Sequence, residues 1–219
     1  MIDVGILQFQ NQQTVAAAVI AFAASRPESQ AGSGGFGLAT AVALLLIAVL
    51  LYALIAAVLA ALGRTVPSGP RWFEDVIPLL CLLGLGVAGY LTYVETQNVA
   101  AVCGPVGDCN AVQASPYARL FGFLPVGLLG MIGYVAILAA WAVGRFGRGS
   151  LASLANLAAL ALLGMALFGV LFSLYLTYLE LYVIRAICAW CLSSAVIMAL
   201  LLLFAVGPAA QTMDVEEGD

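Results

Sequence analysis

Five long stretches of this chain carry almost no polar residue, and short polar segments separate them. They run from Phe36 to Gly63, Val76 to Val94, Phe121 to Arg145, Leu151 to Tyr182 and Ile187 to Gly207. None alternates polar with apolar as a half-buried strand does, and none keeps the polar face of a helix lying on a soluble core. Each is long enough, as a helix, to cross a hydrocarbon layer of about 30 Å. Lipid leaves backbone N–H and C=O groups to satisfy one another, so the pattern predicts membrane-spanning helices. Ahead of them, "TVAAAVIAFAAS" is a shorter apolar run followed by the loop-like "RPESQAGSGG". Met1–Thr14 has no positive charge, so residues 1–35 read as a loose or interfacial tail more than as a secretory leader.

Composition points the same way. The chain is 64% hydrophobic and 8% charged, with a mean hydropathy of +1.13, more apolar surface than a soluble domain of this length buries. The fold class expected is an all-α integral membrane protein. The net charge of −4 comes mostly from Asp214, Glu216, Glu217 and Asp219, in an acidic C-terminal tail at 208–219. No basic patch invites nucleic acid. All seven cations are arginine, and lysine and histidine are absent, so proton transfer and metal binding must proceed without imidazole.

Counting spans places the cysteines. Cys103 and Cys109 sit between the second and third spans, within a loop at 98–120, and Cys188 and Cys191 open the fifth. Two crossings separate the pairs, so both face one compartment. Arg64, Arg71, Arg145 and Arg148 fall in short loops on the opposite face, against Arg26, Arg119 and Arg185 on the cysteine face. The positive-inside rule then puts the N-terminus and the cysteines outside a cell membrane and the C-terminus in the cytoplasm. Outside is where disulfides persist. The fifth cysteine, Cys81, lies within a span and reads as a small hydrophobe.

The chain also repeats itself. "YLTYVE" (Tyr90–Glu95) and "YLTYLE" (Tyr175–Glu180) recur near the outer ends of the second and fourth spans, each glutamate eight residues before a cysteine. Tyrosines gather at membrane interfaces in any case, so duplication and coincidence both stand at this point.

In "CAWC" the sulfurs are i and i+3, a spacing that shares a helix face and lets a disulfide close. A helix N-terminus favours a thiolate, and Arg185 is expected to add to that effect. "GPVGD" between Cys103 and Cys109 suits a tight reversal that brings those sulfurs together. Two pairs on one face fit thiol–disulfide exchange in series. A four-cysteine zinc or iron–sulfur centre is one alternative, and structural staples on a transporter or channel are another.

"CGPVGDC", then Ser115-Pro-Tyr117-Ala, Leu124-Pro125, Gly130-Met-Ile-Gly-Tyr134 and a late "CAWC" together resemble the bacterial branch of the vitamin K epoxide reductase family, over about residues 75 to 207. The DsbB family does similar chemistry but has the C-x-x-C first. The resemblance implies a four-helix bundle holding a quinone, menaquinone or ubiquinone, with residues 36–63 as an extra N-terminal transmembrane helix. It implies that Cys191 reacts with the quinone, that Cys188 exchanges with Cys109, and that Cys103 exchanges with a thioredoxin-fold protein. It further implies quinone contacts from Ser115, Tyr134 and Val112, with capping of "SPYARLFG" as the alternative role of Ser115. Many bacterial members carry a fused thioredoxin-like domain; here the partner is expected to be a separate, DsbA-like protein. Animal members place a quinone-contacting tyrosine four residues after the C-x-x-C, where this chain has Ala195 preceded by Ser193 and Ser194.

Overall fold

The computed structural model describes residues 33–61, 72–103, 108–120, 122–147 and 152–216. The expected tail at 1–35 lies outside the described residues except at its last three positions, as do Arg64, Arg71, Arg148 and most of "GPVGD". Six helices follow in order: α1 (Ser33–Ala61), α2 (Trp72–Gln97), the short α3 (Cys109–Gln113), α4 (Val126–Phe146), α5 (Ala152–Tyr178) and α6 (Ala189–Glu216). All but α3 contain a segment long and apolar enough to span a membrane. The chain is an all-α, multi-pass membrane protein.

Helices α2, α4, α5 and α6 pack in a closed ring, each against the next, and α1 lies outside the ring along α6 and α5. Ile77, Cys81, Tyr134, Ile137, Ala166, Val170, Leu201 and Leu202 fill the centre. Small residues let the backbones approach, as packing in lipid requires. A Cβ on Gly84 would overlap the Tyr134 ring, and one on Gly127 would meet the backbone of Thr92. On α1, Ala39, Val42, Leu46, Val49, Ala53 and Ala56 are buried, three and four residues apart in alternation. That is the spacing of a left-handed coiled-coil seam.

The element ends are set by hydrogen bonding more than by hydropathy. α2 stops at Asn98, whose positive φ of 51° lets Val99 N–H return to the Val94 carbonyl at 3.3 Å, a Schellman closure. α4 begins at Val126, later than the apolar run at Phe121 suggests. Arg119–Leu120 and Leu124–Pro125 first form a two-stranded antiparallel turn, with Gly122 at φ 79°, and Pro125 then leads into the helix. After α5, six residues (Leu179–Ile184) wind as a π turn that ends on Arg185 in the left-handed region, φ 55°. Helical backbone in α6 continues through Gly207 to Glu216, so the segment expected as an acidic tail is mostly helix.

Candidate active site

Between α2 and α3 the chain is pinned residue by residue. Ala101 N–H donates to Asn110 Oδ1 at 2.7 Å, and its carbonyl accepts from Asn110 Nδ2 at 3.4 Å. Val102 is held by two aromatics: its N–H donates to Tyr90 Oη at 2.8 Å, and its carbonyl accepts from Trp190 Nε1 at 3.0 Å. The two rings lie 4.7 Å apart. Cys103 follows and forms a disulfide with Cys109 at the start of α3. Asp108 caps that helix, its carboxylate accepting from Ala111 N–H at 3.0 Å.

The Asp108 N–H donates to the Ile187 carbonyl at 2.9 Å. This bond joins the residues immediately before Cys109 and Cys188. Both cysteines are fully buried and share one small apolar cluster with Leu91, Val94 and Ala186. The structure therefore brings the two dithiols to one end of the bundle, as span counting expects.

Cys188 stands at the N-cap of α6. Its carbonyl accepts the first helical bond from Leu192 N–H at 3.0 Å, and its Sγ accepts from Cys191 N–H at 3.3 Å. Sulfur thus takes the place that a serine or aspartate oxygen usually fills. Cys188 and Cys191 are free thiols. Four free sulfurs are not gathered in this state, since two of them form a disulfide.

The group beside these thiols is a carboxylate, whereas the sequence points to Arg185. Arg185 is exposed on its left-handed turn. Glu180, only 2% exposed, hangs from the π turn, and its Oε2 accepts the Cys188 N–H at 3.1 Å. A carboxylate oxygen of Glu180 and the Sγ atoms of Cys188 and Cys191 all lie within 4.8 Å of one another. The missed signal was the repeat ending on Glu180, an acid placed where burial in lipid is expensive.

A cavity of about 370 Å³ opens between α2, α4, α5 and α6, under α3. Its walls are mostly apolar, including Leu129, Ile132, Phe168, Phe172 and Met198, and Gly130 and Gly133 widen it. Cys191 lines it, whereas Cys188 and the loop cysteines are not among its wall residues. Ser115 and Val112 also line it. Ser115 Oγ donates back to the Val112 carbonyl at 2.6 Å and makes no side-chain cap to the 3-10 turn that follows, so it ties α3 to the cavity roof.

Tyr134 is placed differently from Ser115 and Val112. It is absent from the wall and fully buried, with its Oη 2.8 Å from Ser194 Oγ. Its large ring fills the gap left by Gly84, and Ser194 takes the wall position. Ala195 is buried. Two wall residues, Glu95 and Gln113, each hold a buried polar atom, Oε2 and Nε2, without a hydrogen-bond partner among the described residues. With Ser115, Glu180 and Ser194 also on the wall, the pocket suits a mostly apolar molecule that carries a few polar atoms.

The sequence model of the Vitamin K epoxide reductase family matches residues 75–206, a range that holds both dithiols and the whole cavity wall. No curated protein matches the chain. Since that match covers more than half of the sequence and falls on the four-helix ring itself, the chain belongs to the vitamin K epoxide reductase family.

Proposed function

We propose that this protein re-oxidises a separate extracytoplasmic thioredoxin-fold, DsbA-like protein and passes the electrons to a membrane quinone, menaquinone or ubiquinone, so sustaining disulfide formation. Family membership carries the coarser part, a membrane oxidoreductase that works on disulfides. The observation that most supports the finer part is the Asp108–Ile187 bond. It sets the Cys103–Cys109 disulfide against Cys188, while Cys191 faces the cavity.

The cycle follows from these positions. A partner thiolate attacks Cys103 and frees Cys109; the second partner thiol then attacks the mixed disulfide and leaves as the oxidised partner. Cys109 attacks Cys188, which frees Cys191, and Cys103 resolves the link so that the loop disulfide re-forms. Loop oxidised and C-x-x-C reduced is the state described here, with the electron pair held beside the cavity. A bound quinone supplies the acceptor for two electrons and two protons. Cys191, Ser115, Val112 and Gln113 would surround it, with Tyr134 holding Ser194 from behind. The cysteine end faces outward, and the C-terminus is cytoplasmic.

In detergent, Cys109→Ala mixed with a thioredoxin-fold protein in its disulfide form is expected to accumulate a mixed disulfide, the Cys103 thiolate taking one sulfur of that disulfide and freeing the other as a thiol, with no Cys109 to resolve the link. Oxidation of the reduced thioredoxin-fold protein by Cys109→Ala at the wild-type rate would refute the relay. Quinol formation by reduced wild-type protein under anaerobic conditions tests the acceptor.

A further inference from the structure

Quinone reduction consumes two protons, and this chain has no histidine or lysine to move them. The two copies of the internal repeat end on Glu95 and Glu180, and both side chains line the cavity that Cys191 also lines. Glu180 is almost wholly buried and lies against both free thiols. Glu95 has an oxygen without a partner among the described residues. Its end of α2 meets exposed Arg119, which donates to the Glu95 backbone carbonyl at 3.5 Å. One carboxyl therefore faces the sulfurs, and the other stands near the water-exposed rim.

We infer that Glu180 and Glu95 are the proton-handling pair of this site, Glu180 taking the proton that leaves Cys191 and Glu95 carrying the second proton in from water. This rests on the proposed quinone reaction. The balance closes within it. Two S–H bonds break and one S–S bond forms between Cys188 and Cys191. The quinone gains the electron pair and two protons. Glu180 accepts the Cys191 proton and delivers it into the cavity. Glu95 delivers the other and is refilled from the aqueous end, where the Cys188 proton is finally released.

The titratable groups that face Glu180 are Cys188 and Cys191 of α6. Helices α1 and α3, which also touch the π turn, carry no charged residue. Arg119 faces Glu95, and Tyr117 is the other titratable group on the roof.

The test uses the full chain and its Glu180→Gln, Glu180→Asp and Glu95→Gln variants. The first readout needs no quinone: the reduced-minus-oxidised infrared difference spectrum, taken with dithiothreitol and diamide. Wild type is expected to show a carboxyl band that tracks the dithiol, lost in Glu180→Gln and kept in Glu95→Gln. The second readout is quinol formation with a short-tailed ubiquinone. Each glutamine variant is expected to fall about 10²-fold or more, within the range of general acid–base catalysis, and Glu180→Asp is expected to recover part of the loss and the band. Wild-type rates in Glu180→Gln, or a band that persists in it, would overturn the role of Glu180. Wild-type rates in Glu95→Gln would overturn the pairing. Wild-type protein that forms no quinol while still showing the band would instead count against the quinone reading.

Discussion

Gln113 lines the cavity, and its amide nitrogen is buried with nothing among the described residues to accept from it. An unpartnered buried polar group costs about 1–3 kcal/mol. Gln113→Leu is therefore expected to raise the thermal midpoint of the purified protein. If the proposed quinone binds here, the same variant removes a donor from its wall, so its KM for quinone should rise about fivefold, the equivalent of about 1 kcal/mol. Stability and affinity moving in opposite directions would identify a binding group; both falling would identify a structural one. At this scale the sequence was uneven. The four cysteines were legible because few chemistries use two spaced pairs at one membrane face. Glu180 was not, because its place depends on a π turn and on a left-handed arginine, neither of which has a residue pattern of its own. A motif position also does not reveal which way the Tyr134 ring packs, and Gly84 decides that from another helix.

At the scale of elements, α1 offers a direct contrast. Leu46 is fully buried in the seam against the ring, and Leu44, two residues earlier, is 62% exposed. Leu46→Ala leaves a cavity between helices and should cost on the order of 2 kcal/mol, read as a fall in the detergent melting midpoint. Leu44→Ala should leave that midpoint unchanged. The five spans were evident from hydropathy alone, since lipid demands it of every one of them. The seam was hidden because residues facing lipid and residues facing protein are equally apolar. In α1 not even alanine marks the buried side: Ala39, Ala53 and Ala56 are buried, whereas Ala41 and Ala48 are exposed. Helix ends were also out of reach, because Asn98 and Pro125 act through backbone geometry.

Across the whole molecule, the geometry puts both dithiols at one end of the helical ring, next to the ends of α2 and α5 and the start of α6. A membrane-impermeant maleimide is accordingly expected to reach single cysteines placed at exposed positions Val102 and Arg185, both outside the spans, from the same side of sealed, reduced vesicles. Labelling of the two from opposite sides would break the relay. The closed packing of α2, α4, α5 and α6 was foreseen from motif order more than from any physical signal in the spans, while the orientation relied on arginines in short loops. The link between the two dithiols is a contact of a different kind. It consists of one peptide N–H and one peptide C=O, so another apolar side chain of similar size can replace the fully buried Ile187 without loss of the bond. Sequence drift there leaves the alignment of the two sulfur pairs intact, and a single proline at 108, with no N–H to give, would undo it.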